Sequence, residues 1–163
     1  MIIVKKSGHL KYKKMEFPCA LGKGGVKKKT KEGDNITPKG TFKIIRIYYR
    51  PDKIKKFKTL VKKIKIKKNM GWCDDPTSHF YNKQIKLPTN LGHEKLYRND
   101  NLYDLIVVLN YNTDPIIKNK GSAIFIHIAK KNLNKTKGCV ALKKENLIYL
   151  LSKIKKNTQI KII

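Results

Sequence analysis

A histidine and a cysteine that lie close together in the sequence are the first groups that could carry out chemistry as a pair. His127 lies inside the apolar run 124–128, and Cys139 directly follows a glycine. A thiol attacks a carbonyl only as the thiolate, and a reference cysteine pKa of ~8.5 leaves just a few per cent ionised at neutral pH. An imidazole that takes the proton would activate the thiol, so the pair predicts a cysteine nucleophile with a histidine base.

The residues before the cysteine suit a second requirement of acyl chemistry, which is N–H groups that stabilise the charge developing on the attacked oxygen. Gly138 lets the main chain turn tightly and present its own N–H group and that of Cys139. Thr136 can hold this turn with its hydroxyl. The segment 129–135 is long enough to bring Cys139 back beside His127.

The same pair also fits an ordinary protein core. A single histidine in an apolar strand is usually a hydrogen-bonded core residue, and a single cysteine is usually a small buried hydrophobe. The pattern alone therefore leaves both interpretations of His127 and Cys139 open.

The other chemistry-bearing residues do not form a recognisable metal or nucleotide site. Asp74 and Asp75 precede a proline, where aspartates more often cap a turn than bind a metal, and no second carboxylate cluster is near them in the sequence. The three cysteines are widely spaced, without the paired spacing of a zinc site. The glycines of the loop 22–25 do not match a phosphate-binding fingerprint. These residues therefore favour neither a metal site nor a nucleotide site.

The composition describes a strongly basic globular chain. Its 163 residues carry 39 Lys and Arg against 11 Asp and Glu, which gives a net charge of +28. That charge suggests a polyanionic partner such as nucleic acid, an anionic membrane surface or an acidic wall polymer. The only arginines are Arg46, Arg50 and Arg98, and lysine rises together with isoleucine and asparagine, as in A+T-rich coding. We therefore treat much of the charge as a solvated face. We expect one domain over 1–163, and we expect it to be a monomer.

Neither a membrane span nor a secretory signal is visible in the sequence. No apolar run approaches the roughly 18 to 20 residues that a span needs. The first residues lack the charged start and following apolar run of a signal peptide. We expect a protein that is soluble or bound at a surface, and that either stays inside or is exported by a signal not readable here.

The apolar patterns predict a mainly β domain with one helix near the C-terminus. Pro38 fixes its own φ and Gly40 can take a positive φ, which predicts a tight turn before a strand over 42–49. Lysines alternate with apolar residues through 53–68, which fits a half-buried strand pair or an amphipathic stretch, and 70–77 is predicted to be irregular. The other predicted strands are short ones within the first twenty residues and those over 102–111, 122–128 and 158–163. A helix is predicted over 143–154, with an apolar face formed by Leu147, Leu150, Leu151 and Ile154.

Two separated motifs resemble those of the L,D-transpeptidase catalytic domain, the YkuD-type family. Its signature is a strand histidine followed by Ser/Thr-x-Gly-Cys, which is matched by His127, Thr136, Gly138 and Cys139. The upstream Thr-Pro-x-Gly-x-Phe segment of the family stands here as 37–42. The resemblance covers roughly 31–142 and implies a β-sandwich-like L,D-transpeptidase catalytic fold.

The resemblance also implies a reaction on peptidoglycan stem peptides. The Cys139 thiolate would attack the carbonyl at an L-configured centre, commonly that of diaminopimelate, and expel the terminal D-alanine. An amine of a second stem would then take the acyl group. His127 would act as base and then as acid, with the N–H groups of Gly138 and Cys139 as oxyanion donors. No cofactor is needed, and the implied location is the periplasm or cell envelope.

Four further residues are expected to line the substrate cleft on the strength of their side-chain chemistry. They are Tyr81, Arg98, Tyr111 and Ser122.

The sequence departs from the family next to the nucleophile. Members continue Gly-Cys with an aliphatic residue and then an arginine, whereas Ala141 stands at the arginine position. Arg98 or Arg50 could replace it in holding the substrate carboxylate or the cysteine loop. The spacing between His127 and Cys139 is also short for the family. We therefore expect a divergent branch, one that could make a different cross-link.

Two other functions stay open at this point. An L,D-carboxypeptidase would use water as the acyl acceptor, and no motif distinguishes the two acceptors. A basic nucleic-acid-binding module would keep Cys139 as a structural residue, but aromatic–basic repeats, an RNP-like motif and a finger are all missing. We therefore expect stem peptides, with acidic envelope polymers as a further partner, rather than nucleic acid.

Overall fold

Fourteen strands and one helix make up the structure, a computed structural model that describes residues 1–163. This mostly β architecture with one short helix confirms the predicted fold class. The strands are β1 (Ile2–Lys5), β2 (His9–Tyr12), β3 (Met15–Ala20), β4 (Val26–Lys27), β5 (Thr37–Pro38), β6 (Gly40–Tyr49), β7 (Lys63–Lys65), β8 (Met70–Cys73), β9 (Gln84–Lys86), β10 (His93–Lys95), β11 (Leu105–Leu109), β12 (Phe125–Ile128), β13 (Val140–Leu142) and β14 (Gln159–Ile162), and the helix is α1 (Lys144–Lys153).

The main sheet folds back on itself because one long strand belongs to both of its ends. Its order is β11-β12-β13-β3-β2-β1-β14-β6-β7, and β6 pairs again with β11. Residues 40–43 of β6 pair with β14, whereas residues 44–49 pair with β11. A ten-residue strand can serve both partners, so the pairings close into a circuit that encloses the main core.

Both faces of the β11–β12 pair are buried, which explains why their sequences are continuously apolar rather than alternating. Val107 and Ile126 point into the main core between the layers. Val108 and Phe125 point the other way, into a second apolar cluster. His127 has the same parity as Phe125, so it also lies on this outer face.

The outer face is covered by a small second sheet of order β10-β8-β9. Trp72 of β8 packs edge-on against Phe125, with ring centroids 5.1 Å apart, and against Tyr48 at 6.5 Å. The prediction that 70–77 is irregular was therefore wrong for residues 70–73, which form β8. Strands of three or four residues show too little alternation to be recognised in a sequence.

The helix α1 confirms the predicted helix at the C-terminal end of the chain. Leu147, Leu150 and Leu151 are buried against the main core, and Ile154 follows the helix as its C-cap. With ten residues, α1 is short, and no helix of the structure has the length and apolarity needed to cross a membrane.

Three local predictions can now be compared with the structure. Segment 53–68 is not a strand pair, since only β7 is regular there, but it is amphipathic, with Ile54, Val61 and Ile66 buried and its lysines exposed. Residues 37–42 do not form a tight turn, because β5 continues into β6 with a break at Lys39 alone, although Gly40 does take a positive φ, of 151°. The strand predicted over 122–128 begins only at Phe125, since Ala123 has a positive φ of 50°.

We predict that Leu142→Ala lowers the free energy of unfolding by roughly 2–5 kcal/mol, because deleting buried methyl groups leaves a cavity. Leu142 is 0% exposed and pairs with both Ile128 and Cys19, so it holds β13 in the sheet. Urea unfolding would measure the change. The matched control is Leu60→Ala, at a residue 71% exposed, for which we expect a change within about 0.5 kcal/mol. Equal losses in both variants would contradict the buried position of β13.

Candidate active site

The parallel pairing of β12 with β13 brings the histidine and the cysteine together. His127 is the register partner of Ala141, and Ile126 is the partner of Val140. Cys139 precedes Ala141 by two residues, so its side chain has the same parity and lies on the same outer face as His127. The loop between the two strands thus returns Cys139 next to His127, as the sequence predicts, and both residues line one cleft.

The turn before the cysteine is held by the threonine hydroxyl, as expected from the sequence. Thr136 Oγ1 donates a hydrogen bond to the Cys139 carbonyl oxygen at 2.6 Å and accepts one from the Gly138 N–H at 3.0 Å. Gly138 has φ of 137°, and a Cβ there would lie 2.9 Å from the carbonyl oxygen of Ile36. Only glycine meets both conditions.

The two sequence motifs meet beneath this turn. The Gly22 N–H donates to Thr37 Oγ1 at 2.8 Å, and Gly22 forms a parallel bridge with Thr136. A Cβ on Gly22 would lie 2.2 Å from the carbonyl oxygen of Asn35. The upstream Thr-Pro-x-Gly-x-Phe segment therefore supports the cysteine turn, with Gly22 inserted between them.

The Cys139 thiol is hydrogen-bonded to main-chain groups in the resting structure. Sγ donates to the Ala123 carbonyl oxygen at 3.1 Å and accepts from the Phe125 N–H at 3.4 Å. Burial, followed by the negative charge of Glu94, raises the pKa of the thiol to about 12. The Cys139 thiol is therefore neutral at rest, and a base would have to remove its proton before it could act as a nucleophile.

His127 is set up to act as a base. Its Nδ1 lies 2.8 Å from the Ile128 carbonyl oxygen, which can only accept, so Nδ1 carries the proton and the lone pair is on Nε2. Burial lowers the pKa of His127 below its usual value. The ring is thus neutral near pH 7, a state in which it can take a proton.

A tyrosine and a glutamate that the sequence did not single out complete the surroundings of this pair. The Tyr103 ring packs edge-on against the His127 ring at 5.4 Å between centroids, and its hydroxyl donates to Glu94. Burial and the nearby Glu94 carboxylate raise the pKa of Tyr103 well above its usual value. Tyr103 therefore stays a neutral phenol that fixes the orientation of His127.

The candidate active site opens into a cleft of about 1420 Å³. Of the residues predicted for the site, Cys139, His127 and Thr136 line the cleft, and so do Arg98 and Ser122. Gly138 lies directly beneath it as part of the turn.

The two predicted cleft tyrosines have other positions. Tyr81 is 1% exposed, and its hydroxyl donates to Glu32 and accepts from the Gly121 N–H at 2.9 Å. The Tyr111 hydroxyl donates to the Lys120 carbonyl oxygen at 2.5 Å. Neither tyrosine is among the residues that line the cleft, although Tyr81 supports Glu32, which does line it.

The two arginines considered as replacements for the family arginine have different positions. Arg98 lines the cleft together with Ala141. Its guanidinium lies 5.1 Å from the Tyr103 ring centroid and pairs through Nε and Nη2 with Asp100. Arg50 is 3% exposed and donates to the Arg98 carbonyl oxygen at 2.7 Å. Arg50 therefore buttresses the main chain that carries Arg98.

The aspartates and cysteines outside the pair have local structural contacts. Asp75 accepts hydrogen bonds from the N–H and hydroxyl of Thr77 at 2.9 and 2.7 Å, as expected of a turn cap. Cys19 and Cys73 are free and buried. No group of three or more His, Cys, Asp or Glu side chains is arranged to hold a metal ion.

Comparison with known proteins links this fold to one family. The family model of the L,D-transpeptidase catalytic domain matches residues 1–162. The chain is similar to the solved structure of Bdellovibrio bacteriovorus Bd1075, with 17% identity, a TM-score of 0.55, and coverage of 100% of this chain and 47% of that one. No curated protein matches the sequence.

Two mycobacterial structures are also similar to the chain. Against L,D-transpeptidase 1 of Mycobacterium tuberculosis the identity is 11% and the TM-score 0.43, over 99% of this chain and 60% of that one. Against an L,D-transpeptidase of Mycobacterium smegmatis the values are 13% and 0.45, over 99% and 57%. The chain thus spans about half the length of the solved structures that it matches.

We predict that alkylation of Cys139 by iodoacetamide is slower at pH 7 than that of a cysteine in an unstructured peptide. The rate should keep rising with pH through pH 10, because the raised pKa delays formation of the thiolate. Peptide mass spectrometry would follow Cys139 separately from Cys19 and Cys73. A rate that levels off below pH 7 would instead indicate a preformed thiolate–imidazolium pair.

Proposed function

The chain belongs to the family of L,D-transpeptidase catalytic domains, and we propose that it cross-links peptidoglycan stem peptides with Cys139 as the nucleophile. The thiolate attacks the stem carbonyl at an L-configured centre, such as that of diaminopimelate, and the terminal D-alanine leaves. The acyl group is then held on Cys139 as a thioester, and an amine of a second stem takes it. We assign this reaction to the whole of 1–163 acting as one domain.

The observation that carries this proposal is the shared cleft of Cys139, His127 and the Thr136 turn. Nε2 of His127 has a free lone pair, since Nδ1–H donates to Ile128. During acylation Nε2 accepts the thiol proton, and the imidazolium then gives that proton to the departing amine. In this step Sγ gives up its hydrogen bond to the Ala123 carbonyl oxygen.

The oxyanion is stabilised by the main chain at the nucleophile. The Cys139 N–H has no acceptor within the protein, so it is free to donate to the developing negative charge. The Gly138 N–H donates to Thr136 Oγ1 in the resting structure. It becomes the second donor only if substrate binding draws it away from Thr136.

Arg98 takes the role of the arginine that is missing at position 141. Both residues line the cleft, and Nη1 of Arg98 has no acceptor, because Asp100 occupies Nε and Nη2. A carboxylate of the stem peptide can therefore dock on Nη1 while the Tyr103 ring supports the guanidinium from its face.

The proposed substrate places the site of action in the cell envelope. Stem peptides carry carboxylates and lie among acidic polymers, so the basic surface of a chain with net charge +28 would favour encounter with them. Acidic envelope polymers are the further partner that this charge suggests.

We predict that Cys139→Ala abolishes covalent acylation by a stem peptide or by a carbapenem, because no other thiol lines the cleft. Intact-protein mass spectrometry would detect the adduct on the wild-type chain, and identification of muropeptide products would distinguish cross-linked dimers from hydrolysed stems. The matched control is Cys73→Ala, which removes a buried thiol outside the cleft and should keep the adduct. An adduct that persists in Cys139→Ala would refute the assignment. Tight, salt-sensitive DNA binding without any muropeptide product would favour a nucleic-acid-binding protein instead.

We predict that Arg98→Gln raises KM for the stem peptide about tenfold while kcat changes less, because a charge-assisted hydrogen bond to a ground-state carboxylate is lost. Steady-state kinetics would measure both constants. Arg46→Gln is the control, since Arg46 lies outside the cleft and carries the same charge. Equal KM values for the two variants would exclude Arg98 from substrate binding.

A further inference from the structure

The cleft collects carboxylates that have no ion-pair partner, in a chain with a large excess of cations. Four of the 11 acidic residues line it, namely Glu32, Asp74, Glu94 and Asp100. Asp100 pairs with Arg98, but the other three form no ion pair, although the chain has 39 Lys and Arg. Eight of the 11 acidic residues form no ion pair anywhere in the chain, so what distinguishes these three is that they line the same cleft as Cys139.

Two of the three carboxylates share one face of the small sheet. Glu94 is the register partner of Trp72, and Asp74 N–H donates to the Gly92 carbonyl oxygen at 3.1 Å across the same strand pair. Asp74 and Trp72 have the same parity, so the side chains of Asp74 and Glu94 lie on the face where Trp72 packs against Phe125. That face looks toward β12 and the nucleophile.

A buried serine hydroxyl without a hydrogen-bond partner lies on the same cleft wall as the third carboxylate, Glu32. Glu32 accepts from the Tyr81 hydroxyl, which accepts in turn from the Gly121 N–H. The next residue, Ser122, is 6% exposed and lines the cleft, and its Oγ has no hydrogen-bond partner. A buried hydroxyl without a partner is costly, and an incoming N–H donor would satisfy it.

These groups together fit a small cation that carries several N–H donors. Burial, followed by the charge of Glu32, raises the pKa of Asp74, and burial raises the pKa of Glu94, so the carboxylates repel one another in a partly dry cleft. A bound positive charge relieves that repulsion. The side chains do not converge closely enough to cage a metal ion, whereas an ammonium group can donate to one or two of these acceptors and be attracted by the other carboxylates through space.

We propose that Glu32, Asp74 and Glu94, with Ser122 Oγ, bind the primary ammonium group of the acceptor stem peptide. The inference rests on the proposed function and extends it, because a cleft that concentrates an amine beside the thioester favours cross-linking over hydrolysis. In the transfer step the amine nitrogen forms a bond to the thioester carbonyl carbon, and the carbon–sulfur bond breaks. Of the two protons that leave the ammonium group, one returns to Cys139 through His127 and the other goes to solvent.

The test measures how one acyl-enzyme population divides between two acceptors. The acyl-enzyme is formed first with a donor stem peptide, and a stem peptide with a primary amine is then added over a range of concentrations. Mass spectrometry gives the amine concentration at which amide and hydrolysed products are equal. Since both products come from the same intermediate, the rate of acylation cancels from this ratio.

We predict that Asp74→Asn and Glu32→Gln each raise this concentration about fivefold, which is the effect of losing one partly exposed ion pair of about 1 kcal/mol. Glu16→Gln, an equal charge change at an exposed residue outside the cleft, should leave it unchanged. Hydroxylamine, an uncharged nucleophile at neutral pH, should show no difference among the variants. For the wild-type enzyme, added salt should raise the concentration of stem amine that gives equal products, and should not raise the corresponding concentration of hydroxylamine.

The outcomes separate this inference from the proposed function. The ammonium site would be overturned if the three variants reached equal amounts of amide and hydrolysed product at the same amine concentration. It would also be overturned if salt did not change that concentration for the stem amine. Either result would leave the acyl-enzyme in place. An enzyme that forms no acyl-enzyme at all would overturn both.

Discussion

The parallel pairing of β12 with β13 is the constraint on which the rest of the cleft depends. Parallel neighbours need a connection that crosses from the end of one strand to the start of the next, and here that connection carries the cysteine turn. A shift of one residue in this register would send either His127 or Cys139 into the main core. Because Ile126 and Val140 are packed there, the register is fixed by burial on the face opposite to the chemistry.

Main-chain packing explains why the upstream segment 37–42 is needed although it contributes no side chain to the chemistry. The turn at Gly138 leaves no room for a Cβ, because the Ile36 carbonyl oxygen is in contact with it, and Thr37 accepts the Gly22 N–H next to Thr136. Close approach of three main-chain segments fixes where the Cys139 N–H points. In the proposed reaction, an N–H donor that is already held in place costs no reorganisation when charge develops on the substrate oxygen.

The sequence was sufficient for the parts of the site that are local or depend on strand parity. Thr136, Gly138 and Cys139 are consecutive parts of one turn, and His127 follows from the apolar run of β12. Glu94 and Tyr103 could not be found in this way, because they meet only after Trp72 packs the small sheet on Phe125. Tyr81 was predicted to line the cleft because of its side-chain chemistry, but it is buried behind Glu32.

Charge acts on two length scales in this protein. The net charge of +28 sets a field that extends to about the screening length of roughly 8 Å at physiological ionic strength, so it affects which polymers the surface approaches. Inside the cleft, Arg98 and the three carboxylates would act on a bound peptide at contact distance, which is shorter than that length. A stem peptide presents both carboxylates and amines, and under the proposed function a cleft that holds both Arg98 and carboxylates offers a partner to each. In the proposed transfer step the amine is a substrate, and a cleft lined by cations alone would repel it while attracting the carboxylates equally well.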